Sequence, residues 1–164
     1  MEIKILKAGM ENTVIIDNDF QKMFAFYNYD EAYTCLLNPK ELKNLINSQP
    51  KYRIKFHKET DTLFGLTVKK ATAINPDRPF DPVEIWYTND ISLKKSNWFN
   101  GFKEIPGVLL KYHIIQNGIK MEFSASKINE MNIKDSIVEM KRKGKKISYS
   151  KFDDLIDGLF ETFK

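Results

Sequence analysis

The chain has 164 residues, 42% hydrophobic and 29% charged, with a formal net charge of +4. That composition excludes wholesale disorder, and the length suits one domain with a substantial core, expected to cover residues 1–164. The lone Cys35 excludes an intrachain disulfide, and no run reaches the roughly 18 apolar residues of a membrane span.

The start, MEIKILKAGMENTVIID, alternates and carries charge throughout, unlike a signal peptide, so an exported form would have lost its leader. Met1–Lys7 and Asn12–Asp17 read as strands with Gly9 as a break. Turns at Asp17–Asp19 and Asn28–Asp30 follow, because Asp and Asn close Asx-turns and tolerate left-handed backbone. Between them runs Met23–Tyr27, apolar on both faces and so expected to be covered on both sides of its sheet. A further strand ends at Leu37, with Cys35 as a small buried thiol.

Asn38 and Pro39 open a short helix, PKELKNLINS, with Asn38 as N-cap and Leu42, Leu45 and Ile46 at helical spacing. Strands are expected at Tyr52–His57 and Leu66–Ala73. NPDRPFDP (75–82) reads as a Pro- and Asp-rich loop before the strand VEIWYT. The stretch from Asn89 to Gly107 is long and holds SNWFNGF (96–102), either an aromatic plug for one end of a sheet or a lid over an apolar cavity.

EIPGVLLKYHIIQNG (104–118) ends in Asn117-Gly118, a strong signal for a two-residue hairpin turn. The register then pairs Gln116 with Ile119, Ile114 with Met121, Tyr112 with Phe123 and Leu110 with Ala125 on one apolar face. Ile115–Lys120, His113–Glu122, Lys111–Ser124 and Leu109–Ser126 pair on the wet face. Pro106-Gly107 reads as the turn into this hairpin, Gly107 allowing positive φ. Near the C-terminus KRKGKK (141–146) is a charged segment. A final amphipathic helix follows, with Ser150 as N-cap and Phe152, Leu155, Ile156, Leu159, Phe160 and Phe163 on one stripe.

Catalytic signatures are missing: there is no Gly-rich phosphate loop, no G-x-S-x-G and no H-E-x-x-H. His57 and His113 are the two histidines, too few for a ligand cluster, so neither metal nor cofactor is expected. His113 opposite Glu122 reads as a surface contact. KRKGKK reads as a solvated loop, with anionic headgroups as the alternative. Nucleic acid is not an expected partner, because the aromatics lie on faces expected to be buried.

TDTLFGLTVKKA (60–71), VEIWYTND (83–90), EIPGVLLKYHI (104–114) and MENTVIIDNDFQKMFAF (10–26) together resemble the LolA-like cell-envelope proteins, including the GLPGLI group. The resemblance departs at Val68, where many relatives carry Cys. It implies an α+β fold: a strongly curved antiparallel half-barrel with helices packed on its concave face. It also implies a non-enzymatic, exported protein, periplasmic or associated with the outer membrane. Such a protein would bind a lipid, a lipoprotein acyl chain or another hydrophobic ligand. The walls would be Phe24, Phe26, Ile85, Tyr87, Leu110, Tyr112, Ile114, Met121 and Phe123, with Trp98 and Phe102 near the mouth. The alternative is an interaction or structural module of the envelope whose cavity is filled by its own helices.

Overall fold

The computed structural model describes residues 2–7, 10–116, 118–129 and 144–161. Gly9, Asn117, residues 141–143 of the basic segment and Phe163 lie outside them. The chain divides into two compact units, Met1–Asn44 with Met131–Lys164, and Leu45–Glu130.

The first unit holds a five-stranded sheet of order β1-β2-β3-β4-β10. Its strands are β1 (Glu2–Lys7), β2 (Met10–Asp17), β3 (Lys22–Asn28), β4 (Ala32–Leu36) and β10 (Lys145–Lys146). The β2–β3 turn is closed by Asp17, whose Oδ1 accepts the amides of Asp19 (3.0 Å) and Phe20 (2.9 Å). Central β3 is covered on both faces: Met23, Ala25, Phe26 and Tyr27 are all buried, as its doubly apolar sequence requires. β10 pairs parallel with β4, Lys145 opposite Tyr33. That edge is completed by Gly144, where a Cβ would meet the Ala32 carbonyl at 3.0 Å.

Helix α1 (Pro39–Ser48) starts where Asn38 Oδ1 accepts the amides of Lys40 (2.9 Å) and Glu41 (3.0 Å), while Glu41 Oε2 accepts the Asn38 amide (2.9 Å). This reciprocal capping box satisfies donors that the first helical turn leaves open. Helix α2 (Tyr149–Glu161) has its cap two residues earlier than its sequence suggests. Ser148, not Ser150, caps it, its Oγ accepting from Lys151 N (3.4 Å) and its carbonyl from Phe152 N (3.1 Å). Phe152 and Ile156 are its buried residues among those described, and α2 touches β4.

The second unit is a five-stranded antiparallel sheet of order β5-β6-β7-β8-β9. The strands are β5 (Arg53–Leu63), β6 (Leu66–Asn75), β7 (Arg78–Thr88), β8 (Val108–Gln116) and β9 (Ile119–Ser124). β5 and β6 are joined by a tight turn in which Phe64 (φ 55°) and Gly65 (φ 77°) are both left-handed. β7 starts inside the segment expected to be a loop. Its register against β6 slips between Ala73–Val83 and Asn75–Arg78, so Pro79 and Pro82 sit where no ladder bond needs their missing N–H.

The core of this unit gathers Ala71, Ala73, Val83, Ile85, Tyr87, Phe102 and Ile105, with Tyr52, Ile54, Leu109, Tyr112 and Ile114 against it. The β8–β9 register is as expected through Lys111–Ser124 and Tyr112–Phe123. Beyond that a bulge against β7, where Trp86 pairs with Lys111 but Tyr87 with Leu109, inserts Leu110 as an extra residue. Leu109, expected on the wet face, therefore turns into the core.

These sheets overturn the expected half-barrel. The first sheet ends at β10 and the second begins at β5, so the strands form two open sheets, mostly β overall, neither curled nor closed. The physical cause is at β4: its free edge is taken by β10, and α1 interrupts the chain before β5. Among the described residues α1 buries none of its side chains fully and α2 lies against β4, so neither is the helix expected to fill a half-barrel's concavity.

Candidate functional site

The segment joining β7 to β8 is pinned from within. The Gly107 carbonyl accepts from Ser96 Oγ (2.8 Å) and Asn97 Nδ2 (2.9 Å), and Asn97 Nδ2 also reaches the Ile105 carbonyl (3.0 Å). Ser96 and Asn97 are buried, so these bonds replace water that cannot enter. Phe102 is thereby held in the core, stacked on Tyr52 at 5.0 Å and edge-on to Tyr112 at 5.8 Å. SNWFNGF is thus packed as a plug. Gly107 is needed for close approach: a Cβ there would overlap the Thr88 carbonyl and meet Asn89 Oδ1 at 2.6 Å. Its φ is not in the left-handed region, contrary to the turn geometry expected.

The residues expected to wall one hydrophobic site do not form a single wall. Phe24 and Phe26 belong to the first unit's sheet, the rest to the second unit. Ile85, Tyr87 and Phe102 meet in the core with Tyr112 and Ile114 beside them. Phe123 stacks on Tyr112 (5.0 Å), and Met121 pairs with Ile114. Leu110 is buried at its bulge, and Trp98 is buried edge-on to Phe99 (5.9 Å). His57 Nε2 lies 2.8 Å from Thr72 Oγ1, and His113 faces Glu122, whose carboxylate pairs with Lys120 at 3.1 Å. Among the described residues no three acidic, His or Cys side chains converge as a metal site.

One cleft among the described residues is lined largely by polar side chains. It has a volume of about 390 Å³ and lies at one end of the second unit's sheet, where β5 begins and the β6–β7 and β8–β9 turns come together. Pro50 and Tyr52 supply one side, Asn75, Asp77, Arg78, Asp81 and Val83 the next, and Ile115 and Gly118 the last. Asn75 Oδ1 accepts the Asp77 amide (2.9 Å), which shapes the turn and leaves the Asn75 Nδ2 hydrogens free. The Tyr52 phenol is held above its ordinary range, chiefly by burial and then by the charge of Asp81, with Arg78 acting in the opposite sense. Asp81 and Arg78 line the same cleft as that phenol. The arrangement offers two carboxylates, a guanidinium, an amide and a phenol, with Pro50, Val83 and Ile115 also lining the cleft. Sequence reasoning passed over it because NPDRPFDP looks like a turn-rich linker. The available signal was three charged side chains within five residues, too local to show what they would face.

The family described as "N-glycanase peptide, N-terminal domain" matches residues 9–155. Two crystal structures of PNGF-II, in the C2 and P21 space groups, are similar to the chain. The first is 21% identical over 90% of this chain, with a TM-score of 0.50, and the second 20% identical over 95%, with a TM-score of 0.51. The chain spans about a quarter of their length, 24% and 25% respectively, and the likeness is one of fold. None of the curated proteins matches. These findings displace the resemblance to LolA-like envelope proteins, and with it the lipid carrier. The strand and turn motifs behind that resemblance are explained by antiparallel hairpins and a pinned Gly107, which both kinds of sheet can use. The chain belongs to the N-glycanase N-terminal domain family.

Proposed function

We propose that the chain is an accessory domain of an N-glycanase, engaging glycoprotein substrate beside a separate catalytic part and breaking no bond itself. One observation carries this reading: the family match runs over residues 9–155, while the chain corresponds to only about a quarter of the similar PNGF-II structures. A module of that extent, within a family named for a glycanase's N-terminal domain, suits substrate engagement better than a complete hydrolytic site.

The purified chain is tested in two ways. Incubated with a denatured N-glycoprotein, it is expected to leave the glycans attached, as read by intact mass; release of glycan overturns the accessory role. Immobilised, it is expected to retain that glycoprotein over the same protein stripped of glycan. Equal retention of both, or of neither, counts against substrate engagement.

A further inference from the structure

The geometry points to a saccharide-binding subsite for one or two neutral sugar rings in the cleft formed by Tyr52, Asn75, Asp77, Arg78 and Asp81. This rests on the accessory reading only for its biological setting; the ligand class comes from the cleft itself.

A sugar ring is dense in hydroxyls, each of which both donates and accepts, so its site needs both kinds of partner close together. Asp77 and Asp81 are acceptors. The Arg78 fork and the free Nδ2 of Asn75 are donors, and the Tyr52 phenol does either. Adjacent hydroxyls match the paired atoms of a carboxylate or guanidinium, the arrangement that gives bidentate bonds. The volume of about 390 Å³ falls near the low end of the roughly 300–1,000 Å³ typical of small-molecule pockets, which limits the occupant to one or two rings.

Two further features fit. Phe80, between Arg78 and Asp81 in sequence, is 84% exposed, leaving an aromatic face open to solvent that the C–H face of a sugar can use. Tyr52 is preset: it stacks on Phe102, and Gly101 lets the neighbouring backbone press on its ring edge, since a Cβ there would meet the ring at 2.8 Å. A preset side chain loses less freedom on binding. A fatty chain is disfavoured, because it would strip water from two carboxylates and a guanidinium without replacing their hydrogen bonds.

The experiment is a ¹H–¹⁵N NMR titration of the whole chain with D-glucose, D-mannose and N-acetyl-D-glucosamine, with sodium sulfate and L-lysine methyl ester as ionic probes. At least one sugar is expected to shift the amides of residues 52, 75–81 and 115, saturating at about millimolar concentration. The double variant R78Q/D81N should weaken that binding about tenfold to a hundredfold, from the loss of hydrogen bonds to charged groups. Tyr52→Phe, which keeps the stacking, should weaken it less. The proposal is overturned if no sugar shifts these amides, if the shifts lie elsewhere, or if only sulfate or the amine binds there. It is equally overturned if R78Q/D81N keeps its native spectrum and binds sugar unchanged. Glycoprotein retention that survives a failed titration would leave the accessory role standing and place its contact elsewhere. Sugar shifts without retention would do the reverse.

Discussion

Oε1 of Glu41 accepts a hydrogen bond from the backbone N–H of Tyr149 at 3.1 Å, across 108 positions of sequence, while Oε2 of the same carboxylate accepts from Asn38 N at 2.9 Å. One side chain thus serves the N-termini of both helices, where its charge also complements the helix dipoles. Its loss leaves an amide at each start without a partner.

Glu41→Ala should therefore destabilise the first unit by about 2 kcal/mol, roughly two capping interactions. Glu41→Gln, which keeps an acceptor, should lose about half of that. Urea unfolding followed by circular dichroism checks both. Equal stability of Ala and Gln variants would mean that the bonds contribute little.

Phe64 occupies a left-handed position, φ 55°, and half of its surface faces solvent. An L-residue other than Asn or Asp pays steric strain there, about 1 kcal/mol. Phe64→Asn is expected to raise the unfolding midpoint, by a few tenths to about 1 kcal/mol in stability. Gly65→Ala, at φ 77°, should lower it by about 1 kcal/mol. Opposite signs in the two variants are the signature.

Asn97 supplies Nδ2 to two buried carbonyls, whereas Ser96 supplies Oγ to one that Asn97 already serves. Asn97→Ala should accordingly cost about 2–3 kcal/mol and Ser96→Ala about 1 kcal/mol. The double variant should fall short of, or exceed, their sum, because both donors share the Gly107 oxygen. Additivity within a few tenths would show that the two bonds act separately.

Burial, and secondarily the charge of Glu41, pushes the Cys35 thiol up to about 11 from an ordinary value of 9.0. The folded state therefore holds this proton more tightly than the unfolded chain. Its contribution is complete below pH 9 and is lost as the pH rises from 9 through about 11, amounting to roughly 2–3 kcal/mol. Wild type and Cys35→Ala should thus diverge in their stability profiles across that window and run parallel below it. In the native state the thiol, 2% exposed, should resist a thiol reagent at pH 8.

Local chemistry was legible wherever a short stretch decides it. Asn38 announces an N-cap, Asp17 an Asx-turn, and the alternation on both sides of Asn117-Gly118 fixes the pairing of Tyr112 with Phe123. Long-range partnership was not legible. Nothing in KRKGKK announces that Lys145 pairs with Tyr33 and so closes the edge of β4, which is why one continuous curved sheet seemed natural. Leu110 is buried as strict alternation implies, but a single bulge also brings Leu109, expected on the wet face, against the core. The cleft was hidden for a similar reason. Tyr52 lies more than twenty residues from Asn75, and only hairpins ending at the same end of a sheet bring them together.

The first unit is assembled from both ends of the chain, with Leu45–Glu130 between its parts. Synthesis delivers those parts far apart in time. The second unit has all of its strands as soon as Ser124 has left the ribosome, and its neighbouring strands are consecutive in sequence, which favours early folding. β4 must wait with an open edge until Lys145 and Lys146 emerge, and Glu41 waits equally long for Tyr149. An unpaired edge is a template for association with other chains. In the nascent first unit that edge stays open to such association until β10 has been made.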